Sequence, residues 1–186
     1  WTQLGADIDG EAANDRSGYS VSLSADGNLV AVGAYENDGA GANAGHVRVF
    51  AWDNGAWTQL GADLDGESTY DYSGVSLSLS ANGTRVAVGA TGNDGAGSDA
   101  GHTRVFEWNN EAWTQLGADI DGEAASDYAG ESVSLSADGT RVAVGAFGND
   151  GAGADDAGHT RVFEQNNGAW TQLGADIDGE AANDRS

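Results

Sequence analysis

The chain lacks cysteine, proline and methionine, and none of its seven basic residues is a lysine. Without cysteine there is neither a disulfide framework nor a thiolate metal centre to organise the fold. Packed apolar surface and hydrogen bonds must do that instead. Positive charge is scarce, since thirty acidic side chains against seven arginines give a formal net charge of −23. Affinity for phosphate backbones is supplied by clustered Lys and Arg, so nucleic acid is excluded as a partner. The same charge repels anionic membranes and suits a saline medium, where self-repulsion is screened within roughly 8 Å. No apolar run approaches the ~18 residues of a membrane-spanning helix, so no membrane insertion is expected. Trp1 in place of an initiator methionine reads as a window cut from a longer protein, with any secretion signal outside it.

Glycine is plentiful, with thirty residues, and it is interleaved with Val, Ala, Ser and Thr. That composition predicts short β-strands joined by tight turns and no helix. The string WTQLGAD(I/L)DGE begins at Trp1, Trp57, Trp113 and Trp170, at spacings of 56, 56 and 57 residues, and residues 1–17 are identical to 170–186. A fixed period of this size is the mark of repeated supersecondary units.

Each period predicts four strands. The first is Ser20–Ser24, with counterparts at Ser76–Ser80 and Ser132–Ser136, where apolar residues alternate with serine at the two-residue period of a strand. An Asp-Gly or Asn-Gly turn leads to the second at Leu29–Ala34, Arg85–Ala90 and Arg141–Ala146, as an antiparallel hairpin. The third is His46–Trp52, His102–Trp108 and His159–Gln165, reached through a Gly/Asp-rich loop. The fourth is Ala56–Leu60, Ala112–Leu116 and Ala169–Leu173. The expected organisation is residues 1–17 as an orphan outer strand and acidic loop, 18–73 as a first blade, 74–129 as a second and 130–186 as a third that re-enters the repeat. A single sheet of this size buries too little surface to offset its chain entropy, so each needs copies stacked on both faces. Ala31, Gly33, Ala87, Gly89, Ala143 and Gly145 would let the sheets converge near an axis, with the tryptophans widening the outer edge.

The pattern of Gly18-Tyr19-Ser20-Val21, then Val32-Gly33-Ala34, then Gly45-His46-Val47-Arg48-Val49-Phe50, with counterparts in each later unit, resembles the FG-GAP repeat of integrin α-type propellers. The resemblance implies an all-β chain of tandem four-stranded antiparallel blades in a partial β-propeller ring or a longer array, placed outside the cell or at its surface, with roles in adhesion. Two departures stand out. Ser17, Ser73 and Ala129 occupy the family's phenylalanine position, and the calcium loop between the first two strands is shortened to Ala25-Asp26-Gly27-Asn28 and its relatives.

Candidate chemistry recurs with the period. Asp7, Asp9, Glu11 and Asp15 are repeated as Asp63, Asp65, Glu67 and Asp71, as Asp119, Asp121, Glu123 and Asp127, and as Asp176, Asp178, Glu180 and Asp184. Flexible loops with several carboxylates can supply oxygens to calcium, and the alternative is a solvated acidic surface that guards sheet edges. The glycine-rich loops Asn37–Gly41, Asn93–Gly97 and Asn149–Gly153 are ordinary turn chemistry with the length of a ligand loop. His46, His102 and His159 each open a third strand and are expected to make a structural hydrogen bond to a loop. Arg48, Arg104 and Arg161 share a strand face with them and are expected to lock a carboxylate of an adjacent blade, the alternative being a site for a carboxylated sugar. Because every polar group recurs in every unit, no asymmetric catalytic set is visible and the chain is expected not to be an enzyme. The function expected is an extracellular structural or adhesive scaffold whose partners are other copies of the repeat, in cis or in trans. The alternative is a lectin-like module presenting one surface-glycan site per blade.

Overall fold

The computed structural model describes residues 1–151 and 156–182. Three antiparallel sheets follow one another along the chain. The first holds β1 (Ser20–Leu23), β2 (Leu29–Ala34), β3 (His46–Asp53), β4 (Ala56–Gln59) and β5 (Leu64–Asp65). The second holds β6 (Ser76–Leu79), β7 (Arg85–Ala90), β8 (His102–Trp108), β9 (Trp113–Gln115) and β10 (Ile120–Asp121). The third holds β11 (Ser132–Leu135), β12 (Arg141–Ala146), β13 (His159–Asn166), β14 (Ala169–Gln172) and β15 (Ile177–Asp178). Each sheet is a meander of four strands, and a fifth short strand shares the long third one. This is the expected all-β stack of propeller blades, and the four main strands fall within a residue or two of their predicted positions.

The fifth strand falls inside the segment read from sequence as an acidic loop. The outer strand is interrupted at Gly61, whose φ of +82° turns the chain, and it then resumes as β5. As a result β3 pairs with β4 through Phe50–Asp53 and with β5 through His46 and Val47. Two residues are too few to display a period, yet Leu64 and Ile120 are only 6% and 4% exposed.

The hairpin between β1 and β2 turns on Gly27 alone, with φ +73°. Asp26 does not enter the left-handed region. Its carboxylate accepts from the Ser24 hydroxyl at 2.7 Å and from the Asn28 N–H at 3.0 Å, closing the turn through a side chain. In the third sheet the Ser136 hydroxyl, followed by the Thr140 N–H and hydroxyl, holds the Asp138 carboxyl down at about 2.

The cores lie between sheets and not within them. Ala31, Val47, Val49 and Leu64 of the first blade close against Leu77, Leu79, Val86, Val88 and Phe106 of the second. Ala87, Val105 and Ile120 of the second close against Leu135, Val142, Val144 and Phe163 of the third. Strand alternation explains the sharing, since Val86 and Val88 face one neighbour while Ala87 and Gly89 face the other.

The serines that alternate with these residues are spent on the neighbouring blade. The Ser20 and Ser76 hydroxyls donate to Gly74 O and Gly130 O at 2.6 Å. The hydroxyl oxygens of Ser22 and Ser78 accept from the N–H of Leu79 and Leu135 at 3.0 Å. At the outer edge, Trp57, Trp113 and Trp170 donate their indole N–H to the carbonyls of Leu4, Leu60 and Leu116, one period earlier. Residues 1–9 adopt no strand, yet Leu4 accepts the Trp57 bond as its counterparts do.

Candidate functional site

At three junctions, where the acidic segment of one unit, residues 7–11 being the first, meets the third strand of the next, the same four side chains meet. The third strand contributes a histidine and, two residues on, an arginine to one face. His46, His102 and His159 are each 1% exposed, and Arg48, Arg104 and Arg161 are 6–7% exposed. Each guanidinium lies over the phenylalanine two residues further along its strand, at 5.3 Å from the ring centroid. That contact and the sheet fix the fork's direction. Its Nη2 donates to a backbone carbonyl of the preceding acidic segment: Arg48 to Asp9, Arg104 to Asp65 and Arg161 to Asp121. Its Nη1 lies 3.5–3.7 Å from the carboxylate of Glu11, Glu67 or Glu123 on the same segment. The arginines therefore clamp a neighbouring unit, chiefly through its main chain.

The fourth side chain comes from the blade's own outer strand. Asp63, Asp119 and Asp176 each accept from a glutamine four residues earlier, Gln59, Gln115 or Gln172, at 2.6 Å. The second oxygens of Asp63 and Asp119 point at the imidazoles, 3.8 Å from Nδ1 of His46 and His102. The glutamates stand beside the same nitrogens, Glu11 at 3.9 Å, Glu67 at 4.0 Å and Glu123 at 3.8 Å. The donor atoms of Glu11, His46 and Asp63, of Glu67, His102 and Asp119, and of Glu123, His159 and Asp176 all lie within 4.8 Å of one another. Each of these three groups can hold a metal ion.

The acidic segments thus divide their carboxylates among separate tasks. Asp15, Asp71 and Asp127 are 2–4% exposed and fold the segment on itself. Asp71 accepts from the N–H of Glu67 and Ser68 and from the Asn93 amide, and Asp127 and Asp15 repeat the pattern with Asn149 and Asn37. Asp9, Asp65 and Asp121 lend their carbonyls to the arginines. Burial first, and then the neighbouring Asp119, raise the Asp121 carboxyl against the opposing pull of Arg161. Asp7 accepts from Gln3 without a histidine beside it among the described contacts. Asp178 is paired in β15 opposite His159, Glu180 is exposed, and Asp184 lies outside the described residues, as do residues 152–153 of the third glycine-rich loop. Among the described residues no three carboxylates of one segment converge.

The histidines differ from expectation. Both ring nitrogens of His102 and of His159 are buried without a hydrogen-bond partner, in place of the predicted bond to a loop. Burial, reinforced by Arg104, pushes His102 down to about 4, against the opposing influence of Asp119 and Asp71. At neutral pH its neighbours therefore face a neutral ring, and the Glu67 and Asp119 contacts are not ion pairs. An unfolded imidazole titrates near 6.5, so between pH 6.5 and 4 the unfolded chain binds a proton that the folded chain refuses. The stability from this group is present above 6.5 and is lost as pH falls toward 4. Thermal melts across this window should drop steadily on acidification, and His102→Gln should flatten the upper part, where carboxylates do not yet titrate. Identical profiles for the two proteins would refute this account.

Grooves flank the first and third junctions. Ile8, Asp9, Arg48, Phe50 and Trp57 line one of about 270 Å³, and Ile120, Asp121, Arg161, Phe163 and Trp170 line one of about 350 Å³.

Residues 7–50 match the family model of the FG-GAP repeat. No curated protein matches the sequence. Among solved structures the fold is similar to that of a candidate 6-phosphogluconolactonase from Bacteroides uniformis, with a TM-score of 0.55 and 14% identity over 89% of this chain and 42% of that one. It is also similar to hydrazine synthase of Kuenenia stuttgartiensis, with a TM-score of 0.52 and 12% identity over 86% of this chain and 36% of that one. The β-propeller domain of the Trilobed protease from Pyrococcus furiosus aligns with a TM-score of 0.48 and 9% identity, over 86% of this chain and 41% of that one. The chain spans less than half the length of each. The first two likenesses correct the expectation that the chain is not an enzyme. The fold of repeated blades is shared with proteins named for catalysis, so recurrence of the polar groups does not separate scaffold from enzyme.

Proposed function

We propose that this chain, a run of FG-GAP-type β-propeller blades, is part of an extracellular structural or adhesive scaffold that grows by stacking blade upon blade, in cis or in trans. The observation that carries this reading is the contrast between covered and uncovered copies of one surface. Leu79 and Leu135 are 7% and 8% exposed beneath a preceding blade, whereas Leu23 at the same position of the first blade is 61% exposed. Ile177 is 62% exposed where Leu64 and Ile120 are 6% and 4%. Each outermost face is thus the apolar complement of the other, and a further copy of the blade would bury both. The FG-GAP match and the strongly acidic surface support placement outside the cell.

Sedimentation over a wide concentration range tests it. The chain should associate, and Leu23→Asp should hold it monomeric. A chain that stays monomeric at every concentration, with Leu23→Asp indistinguishable from it, would remove the reading. Calcium has a minor part here, because the acidic segments spend their carboxylates on turns, glutamines and arginines. Melting in calcium should match melting in magnesium at equal ionic strength, and a calcium-specific rise of many degrees would make calcium the stiffening ion after all.

The grooves favour a second reading, a glycan ligand at the first and third junctions, since tryptophan, arginine and carboxylate meet there. The indole N–H and the arginine Nη2 are committed to chain carbonyls and the arginine Nε is buried, which leaves the carboxylates and the ring faces for a sugar. Binding to a glycan array that is lost in Trp57→Ala would support it.

A further inference from the structure

We infer that each blade junction is a binding site for a divalent transition-metal ion, held by one buried imidazole and two carboxylates drawn from three separate stretches of chain. The imidazole supplies the first reason. His102 is 1% exposed, and neither of its ring nitrogens has a hydrogen-bond partner. A buried polar group left unsatisfied costs about 1–3 kcal/mol, and His159 repeats the arrangement. The carboxylate oxygens at 3.8 and 4.0 Å from His102 Nδ1 are too far to accept its proton. They stand instead where ligands on either side of an ion stand.

The second reason is how the carboxylates are held. Glu67 turns Oε1 toward Arg104 at 3.6 Å and leaves Oε2 toward the imidazole. Asp119 receives Gln115 on Oδ1 at 2.6 Å and leaves Oδ2 toward the same nitrogen. Each therefore has one oxygen turned to an outer partner, hydrogen-bonded in Asp119 and facing a charge in Glu67, and one free oxygen aimed at a common point. Outer partners of this kind orient the ligands in metal centres. The same division recurs at the first junction with Arg48, Glu11, Gln59 and Asp63, and the third has the corresponding residues.

The donor set selects the ion. Two carboxylates and an imidazole fall short of calcium's oxygens, whereas mixed nitrogen and oxygen donors suit zinc and its neighbours. Bonds of about 2.0–2.2 Å in a tetrahedral zinc site put donors roughly 3.3 Å apart, so the imidazole-to-carboxylate distances must close by about half an ångström and any donors as far apart as 4.8 Å by more. The Glu67 and Asp119 side chains, 45% and 30% exposed, have room to make it. A fourth position is left to water. The ion would tie the connecting segment of one unit to the central and outer strands of the next, so that each junction is crosslinked.

Calorimetric titration of the chelator-treated chain with zinc chloride near pH 7 tests this, with calcium and manganese chlorides as comparison. Zinc should bind at micromolar or tighter affinity, one ion per junction, and calcium at least a hundredfold more weakly. His102→Gln should remove one zinc equivalent and leave the other two. If that variant fails to fold, Asp119→Asn removes an exposed ligand without disturbing the core. It should show the same missing equivalent with an unchanged melting temperature in the absence of metal. Zinc stoichiometry untouched by either folded variant, or zinc affinity no better than calcium's, would overturn the inference.

Discussion

Arg104→Met is expected to lower the unfolding free energy by about 2 kcal/mol, because it removes the only described donor to a partly buried carbonyl at a blade junction while keeping most of the apolar stem. Arg104 Nη2 donates to Asp65 O at 2.6 Å, the guanidinium lies over Phe106, and Nη1 stands 3.6 Å from Glu67. Glu67 is nearly half exposed, so solvent screens its share and the loss falls on the carbonyl and the ring contact. Arg141 is the control. Its pair with Glu164, at 2.8 Å, is 55% and 33% exposed, and Arg141→Met should cost no more than ~1 kcal/mol. Urea unfolding of both variants decides the matter, and equal small losses would show that the junction arginine is not a clamp.

Gly89→Ala should be at least as damaging, about 3 kcal/mol or more, while Gly145→Ala at the equivalent position costs less than ~1 kcal/mol. A methyl group on Gly89 would run into the carbonyl oxygen of Gly130 in the next blade as well as the Ser76 hydroxyl. Backbone at the inner edge cannot rotate aside, so the whole blade must shift. On Gly145 the same methyl meets only Ser132, chiefly its hydroxyl, which can turn away. The two glycines lie in the same string, VAVGA, and differ only in whether a sheet follows. Equal effects would mean that the penalty arises within the strand and not from the approach of the neighbouring blade.

The main strands were legible because the serine and valine alternation is long enough to show its period and is repeated in phase. β5, β10 and β15 were not, since two residues carry no period and their pairing depends on a break at a glycine in the left-handed region. The serines of β1 and β6 looked like the polar face of a half-exposed sheet. Their partners, Gly74 and Leu79 for Ser20 and Ser22, are more than fifty residues away, and nothing local announces them. The arginines were expected to lock a carboxylate of the adjacent blade, and in the structure their hydrogen bonds go to the carbonyls of Asp9, Asp65 and Asp121, with the glutamates 3.5–3.7 Å away.

The acidic segments were misleading for a similar reason. Closeness along the chain suggested that Asp63, Asp65, Glu67 and Asp71 serve one ligand; in the structure Asp71 closes the turn, while Glu67 meets an aspartate one period later at a histidine from the strand between. A signal did exist in the sequence. The glutamine placed four residues before Asp63, Asp119 and Asp176 singles out that aspartate from its neighbours in every unit.

The indole bonds of the outer edge all point the same way, from Trp57 back to Leu4, from Trp113 back to Leu60 and from Trp170 back to Leu116. The stack accordingly has a head and a tail that are chemically distinct, one presenting N–H groups and the other carbonyls. Two such bodies cannot join through a twofold axis along these edges, because donor would meet donor. Under the proposed stacking, addition of copies is vectorial, and it closes only where the rotation per step brings the last tail round to the first head.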